Sequence, residues 1–173
     1  MVRFKNRWVL FQIVQDPVLE NGKVIYPRTG FEVTDNMISN AIFQAIEVNY
    51  GLFGKGQGSV TVKWYNSTTR IGILRIPRDF TDMYLSTMFF IKQIATLPCS
   101  FSILHVSGTV IFIQQAAIDW DRKFYLKEQQ DAEKKGDIYN AIDKIEESKK
   151  TLAVLSQEDV QLRVDTMRPI FRD

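Results

Sequence analysis

The sequence predicts an α+β fold: a four-stranded antiparallel sheet with two helices on one face, the split βαβ arrangement, followed by further helices. Three observations predict it. Apolar runs rich in Val, Ile, Phe and Trp mark strands at 8–15, 60–65, 71–76 and 100–106. Apolar residues at helical spacing mark one helix between the first and second runs and another between the third and fourth. A polar turn from Asn66 to Thr69 joins the middle two runs into a hairpin.

Taken in order, the chain opens with Arg3, Lys5 and Arg7 at alternate positions. In an extended segment the period of two puts these cations on one face and Phe4 on the other. They lead into WVLFQIVQ, an unbroken apolar run suited to a central strand buried on both sides. Residues 16–30 hold Pro17, Gly22, Pro27 and Gly30 and read as a loop with a short extended piece at 23–26. Thr34 or Asp35 caps the first helix, whose stripe is Ile38, Ala41, Ile42, Ala45 and Ile46. Gly51 ends it, and GLFGKGQGS at 51–59 reads as a flexible connector with Lys55 at its tip. No Gly-Lys-Ser/Thr triplet is present there, so this is no nucleotide-binding loop; Lys55 is a candidate phosphate contact.

The hairpin follows, carrying Lys63, Arg70, Arg75 and Arg78 on or beside it. Such cations keep sheet edges soluble, or they track a phosphate backbone. Pro77-Arg78-Asp79 opens a second helix with the stripe Phe80, Tyr84, Met88, Ile91, Ile94 and Ala95, closed by Pro98. After the fourth strand, SFSILHV, Ser107-Gly108-Thr109 introduces a third helix from Val110 to about Gln130. Its free N–H groups suit either a phosphate oxygen or a simple cap. That helix is apolar around much of its circumference, more than one packing stripe needs, which points to a protein partner at Ile113, Ala117, Trp120 and Phe124. A last helix is expected at 137–155, with Ile138, Ala141, Ile142 and Ile145 on one face; the segment 156–173 is ambiguous.

Composition bounds the function. With 173 residues, 45% of them apolar, the chain has enough material for a real core. No apolar stretch is long enough to cross a bilayer, and the start lacks the apolar centre of a signal peptide, so no membrane role is expected. Cys99 is the lone cysteine, which excludes an internal disulfide and fits a reducing compartment; it reads as a small buried hydrophobe. His105 is the sole histidine and has no Cys or Asp partner at metal-ligand spacing. Neither a Ser/His/Asp set nor a carboxylate pair suited to acid–base work is seen, which counts against a protein-based active site. Charge is uneven: residues 1–127 hold 14 Lys+Arg against 9 Asp+Glu, and residues 128–173 hold 8 against 11. A basic body with an acidic tail suits nucleic-acid binding. The expected division is therefore a basic domain at 1–127 and a charged helical extension at 128–173.

The topology is that of ferredoxin-like and RRM-like domains, yet RIGILRIP in the third strand lacks the aromatic signature with which RNA-recognition modules stack bases. RNA binding by this chain would rest on backbone and shape. Three segments in order, MVRFKNRWVL, VKWYNSTTRIGILRIPRDF and HVSGT, resemble one family: the small processing-of-precursor-RNA subunit, number five of its series, of eukaryotic ribonuclease P and ribonuclease MRP, with archaeal relatives. The likeness spans 1–127; the loop at 23–31 and the tail match no pattern of that family.

The resemblance implies a non-catalytic, RNA-binding subunit of a ribonucleoprotein. Its cleaving centre would be RNA with Mg²⁺, and no cofactor would be bound by this chain itself. Implied partners are the catalytic RNA, a TIM-barrel-like protein subunit and other subunits, with precursor tRNA nearby, in the nucleus and nucleolus. Implied activities of the complex are removal of 5′ leaders from precursor tRNA and rRNA processing. The candidate RNA contacts are then Arg3, Lys5, Arg7, Lys55, Lys63, Arg70, Arg75, Arg78, Ser107, Gly108 and Thr109. The alternative from topology alone is a small-molecule-sensing homodimer. An enzyme with an unrecognised site ranks last.

Overall fold

The computed structural model describes residues 5–25, 32–57, 60–135 and 138–167. It divides into two compact units, Met1–Thr109 and Val110–Asp173. The boundary expected near residue 127 falls inside a continuous helix, because the helical spacing that begins at Val110 runs unbroken to Lys135.

The first unit is an antiparallel sheet with two helices on one face. Its strands are β1 (Asn6–Gln15), β4 (Thr61–Asn66), β5 (Ile71–Pro77), β6 (Gln93–Ile94) and β7 (Leu97–Ser107), in the order β4-β5-β1-β7-β6. The four expected strands are present in the split βαβ order, and two-residue β6 is added at one edge. β1 is central, paired with β5 on one side and β7 on the other. Trp8 to Phe11 are all buried, as a strand covered on both faces requires. Val9, Phe11 and Ile13 point into the main core, with Leu74 and Ile76 of β5 and Phe101 of β7. Two helices supply the other half of that core: Ile38, Ile42 and Ile46 from α1 (Asp35–Gly56), and Tyr84 and Met88 from α2 (Thr81–Phe90).

Local chemistry accounts for the helix ends. Thr34 Oγ1 accepts the Met37 N–H at 3.4 Å and so caps α1. Gly51 takes φ 64°, ψ −159°, which breaks the helix where the sequence expects it to stop. Helical turns then resume, so 51–56 is a kinked helical continuation where the sequence suggests a free connector. The second helix also departs from expectation. It ends at Phe90; Ile91 is extended, and Ile94 enters β6. Ala95 takes φ 52° and turns the chain so that β6 pairs with Leu97 and Pro98 of β7. The apolar spacing of Ile91, Ile94 and Ala95 thus belongs to a hairpin, and Pro98 opens a strand. Within 16–25 the Asn21-Gly22 pair, both at positive φ, joins β2 (Val18–Glu20) to β3 (Lys23–Ile25), a hairpin signal the reading of this stretch as a loop passes over.

Two bulges interrupt the ladders. In β4, Val62 pairs with Leu74 while Trp64 pairs with Ile73, leaving Lys63 as the extra residue. That insertion lets both Val62 and Tyr65 pack on the core, three positions apart, which strict alternation forbids. In β7, Leu104 is the extra residue between Ile103 and His105.

The second unit is an αα-hairpin of α3 (Val110–Lys135) and α4 (Ala141–Met167). Its seam runs through Ile113, Gln114, Ala117, Asp121 and Tyr125 of α3, and Ala141, Ile145, Ser148, Leu152 and Leu155 of α4, all buried. Polar groups in that seam are matched across it. Gln114 Nε2 donates to the Leu152 carbonyl at 2.5 Å, Ser156 Oγ donates to Gln114 Oε1 at 2.7 Å, and Ser148 Oγ donates to the Asp121 carboxylate. Asn140 caps α4 by accepting the Asp143 N–H. The apolar face expected from Ile138 and Ile142 is displaced: Ile138 precedes the helix, and both side chains are exposed. Helical backbone continues to Met167 through most of the segment left ambiguous by sequence. No helix among the described residues is long and apolar enough to cross a membrane.

Two outcomes test this architecture. A Cβ at Gly72 would meet the Phe11 ring, 2.8 Å from Cε1, and the Trp64 carbonyl at 3.1 Å, both in the sheet interior. Gly72→Ala is therefore expected to lower stability by about 1–3 kcal/mol in chemical denaturation. An unchanged midpoint would overturn the packing of Phe11 on Gly72. Burial pushes the Cys99 thiol up to about 11, and burial likewise pushes the Tyr65 phenol up to about 12. Both stay protonated in the folded chain where the unfolded chain, at 9.0 and 10.0, has begun to ionise. Their contribution is therefore full below the unfolded values and is lost as pH rises from about 9 towards 12. Native Cys99 should resist a thiol reagent at pH 8 and react only as fast as the chain opens; rapid stoichiometric labelling would contradict its burial.

Candidate nucleic-acid interface

The antiparallel register decides which cations meet. At one end of the sheet β1 and β4 begin while β5 and β7 finish. One transverse row there reads Thr61, Arg75, Trp8 and Ser107 across four strands. Arg7 lies one residue further along, opposite Ile76. The ladder continues past the last strand pair: the Arg78 N–H donates to the Lys5 carbonyl at 2.8 Å. Separated stretches of chain thus bring Lys5, Arg7, Arg75 and Arg78 to one end.

The backbone there is well held. Arg78 opens a 3₁₀ turn, Arg78–Phe80, and its carbonyl accepts Thr81 Oγ1 at 2.7 Å. Its side chain is exposed, as is that of Lys5. Arg75 and Arg7 are half-buried. Lys63 sits in the β4 bulge near the same end and is also half-buried. Ser107, Gly108 and Thr109 follow β7 at this end. Ser107 Oγ accepts the Thr109 N–H at 3.1 Å and donates to the Thr109 carbonyl at 3.0 Å, closing a tight local turn. Gly108 lies beside Arg7: a Cβ built there would stand 3.2 Å from Arg7 Nη1.

Two candidate cations lie apart from this group. Arg70 closes the turn at the opposite end of β5, a seven-residue strand of about 23 Å at 3.3 Å per residue. Its φ is 56°, its carbonyl accepts the Ile13 N–H at 2.8 Å, and it lies near enough to Tyr65 to oppose the burial that raises that phenol. Grouping Arg70 with Arg75 and Arg78 by sequence proximity overlooks that a strand separates its two ends. Lys55 is not at a loop tip. It lies on the kinked last turn of α1 and forms an ion pair with Glu47 at 2.8 Å, which offsets its charge. Arg3 lies outside the described residues.

On α3 the expected partner residues are divided by burial. Ile113 and Ala117 are fully buried within the chain and cannot present themselves to another protein, whereas Trp120 and Phe124 are half-buried. The exposed apolar side chains near the start of α3 are Ile111 and Phe112, at 70% and 66%. The apolar run VIFI conceals this distinction, because only the position of the seam tells inner from outer residues. His105 is exposed on β7, and no cluster of three or more His, Cys, Asp or Glu suited to a metal occurs among the described residues.

Comparison with known proteins gives the site its context. The sequence profile of the Rpp14/Pop5 family matches residues 7–118. The chain is 30% identical over 129 residues to the human protein "Ribonuclease P/MRP protein subunit POP5", covering 71% of this chain and 74% of that one. It is 29% identical over 121 residues to the protein of the same name from Schizosaccharomyces pombe, covering 69% and 87%. It is 28% identical over 109 residues to "Ribonuclease P protein component 2" of Methanocaldococcus jannaschii, covering 63% and 69%. At the level of coordinates the likeness is loose: a chain in a cryo-EM structure of yeast ribonuclease MRP gives a TM-score of 0.42 at 16% identity, over 77% of this chain and 98% of that one. The profile match takes in β1, both bulged ladders, the 107–109 turn and the start of α3, so this chain belongs to the Rpp14/Pop5 family.

Proposed function

We propose that this chain is a non-catalytic protein subunit of a ribonuclease P/MRP-type ribonucleoprotein, and that it braces folded RNA with the cationic end of its sheet. The observation that carries the reading is the convergence of Lys5, Arg7, Arg75 and Arg78 at one end, in a member of the Rpp14/Pop5 family. Cations fixed on ladder backbone neutralise phosphates with little further loss of freedom. They read backbone and shape, not base edges. Ser107 and Thr109 flank this group, and Lys63 extends it along β4.

In this reading the chemistry belongs to RNA and its Mg²⁺, acting on 5′ leaders of precursor tRNA and in rRNA processing, in the nucleus and nucleolus. The TIM-barrel-like subunit and other proteins of the complex are the protein partners. Ile111 and Phe112 are the α3 side chains best exposed to meet one, with Trp120 and Phe124 as half-buried neighbours.

Affinity-purified chain should carry one structured RNA with a small set of proteins, identified by sequencing and mass spectrometry; a stable homodimer free of RNA would sink the proposal. With that RNA transcribed in vitro, Lys5→Ala/Arg78→Ala should weaken binding. It should also lower the slope of log affinity against log salt by roughly 0.7–0.9 per lost phosphate contact. Arg70→Ala should change neither. Equal losses in both variants would mean that the sheet end is not the contact. Separately, Phe112→Ser should reduce recovery of the co-purifying proteins while leaving the thermal midpoint of the free chain within a few degrees; full recovery would remove α3 from the protein interface.

A further inference from the structure

We propose that Gly108 is a positioning residue for Arg7: its missing side chain leaves the space in which the Arg7 guanidinium lies against the end of β7. The inference rests on the RNA-bracing reading for its purpose, and on the geometry at Gly108 for its content.

Gly108 is exposed, and its φ is outside the left-handed region, unlike those of Gly22 and Gly51. The backbone there admits any L residue, so conformational freedom does not account for a glycine. What a side chain would meet does. The atoms within 4 Å of a Cβ built at this position are Arg7 Nη1 at 3.2 Å and Arg7 Cζ at 3.9 Å. A first methyl group already crowds the guanidinium, and any branched side chain displaces it.

The contrast with other glycines shows what kind of effect to expect. A Cβ at Gly54 would stand 2.5 Å from Tyr50 Cβ and 3.0 Å from Ile46 Cγ2, inside the body of a kinked helix. At Gly72 it would meet the Phe11 ring and a strand carbonyl. Those glycines serve folding. At Gly108 the neighbour is the far end of a flexible side chain, which can swing away at little cost to the fold. Substitution there redirects a cation and leaves the core untouched.

The arrangement makes the redirection matter. Trp8 pairs with Ser107, so Arg7 and Gly108 are the next residues outward on neighbouring strands. The Arg7 side chain runs sideways from the central strand onto the turn that Ser107 and Thr109 hold closed. A planar guanidinium can approach a backbone that carries no Cβ more closely than one that does. Arg78, joined to Lys5 through the ladder, follows β5 on the side of β1 away from β7. Gly108 therefore keeps Arg7 at the β7 side and spreads the cations across the sheet end.

The test compares the full chain with Arg7→Ala, Gly108→Val, Gly108→Ala and the Arg7→Ala/Gly108→Val double variant. The first readout needs no RNA: the side-chain Nε–H resonance of Arg7 by NMR. It should move in Gly108→Val and, less, in Gly108→Ala, with thermal midpoints close to the parent. The second is binding of the in vitro transcribed RNA that co-purifies with the chain, as a function of salt. Gly108→Val should weaken binding by a factor similar to Arg7→Ala and lower the salt slope by roughly 0.7–0.9. The double variant should be no weaker than the stronger single variant, since both remove one contact. If Arg7→Ala weakens binding and Gly108→Val does not, or if their losses add, the positioning role is overturned while the RNA reading stands. If neither variant alters RNA binding, Arg7 has no part in bracing and the inference falls with that part of the reading. An unmoved Arg7 resonance in Gly108→Val overturns the contact itself. Should Gly108→Val fold poorly, Gly108→Ala carries both readouts with smaller shifts in the same direction.

Discussion

The double pairing of β1 governs this molecule. Its residues 6–12 hydrogen-bond to β5 and its residues 8–15 to β7, so this strand sets the register of both neighbours at once. A slip of one residue would turn Val9, Phe11 and Ile13 out of the core. That penalty keeps the ladder in one register. The same register carries Lys5 and Arg7 to the place where Arg75 and Arg78 arrive from β5 and Gly108 arrives from β7. Apolar burial along the middle of β1 therefore dictates the electrostatics at its end.

Cations presented in this way differ from those of a flexible basic tail. A tail loses conformational entropy when it binds, whereas strand backbone has lost it during folding. Arg78 shows this clearly: its N–H is bound to Lys5, its carbonyl to Thr81, and its side chain is left for solvent or a ligand. The bulge at Lys63 brings a further cation near the same end of the sheet. By inserting one residue it keeps Val62 and Tyr65 on the core face and puts Lys63 with Trp64 on the other. The opposite end of the sheet has a different character, with the Asn66 side chain accepting the Thr68 N–H to form the hairpin turn and Arg70 at positive φ.

The helical hairpin is held by a different logic. Its seam mixes Ala, Ile, Leu and Tyr with Gln114, Asp121 and Ser148. Burying such groups is costly unless they are hydrogen-bonded, so each polar residue needs its partner at the right height on the facing helix. Gln114 facing Leu152 and Ser156, and Asp121 facing Ser148, meet that need in one register only. Two polar layers thus align the helices where an all-apolar seam would permit sliding. Burial along α3 follows the helical period: Val110, Ile113, Gln114 and Ala117 are buried, and Ile111 and Phe112 between them fall on the exposed side.

The sequence by itself determined the element order, the central position of WVLFQIVQ, the Asn66–Thr69 hairpin turn and the cap at Thr34. These are local properties, set by period, turn chemistry and burial of short runs. The motif order also carried the family. Tertiary structure decided the rest. Pairing placed Arg78 beside Lys5 and Arg75 opposite Trp8, and removed Arg70 to the far end, because neighbours along a strand are separated by its length and neighbours across it are separated in sequence. An ion pair with Glu47 across the Gly51 kink altered the meaning of Lys55. The turn at Ala95 converted an apolar helical pattern into a hairpin, and packing decided that Val110 and Ile113 are buried while Ile111 and Phe112 are exposed. Spacing says which residues can share a face; only the packed chain says which face is covered and which cations converge.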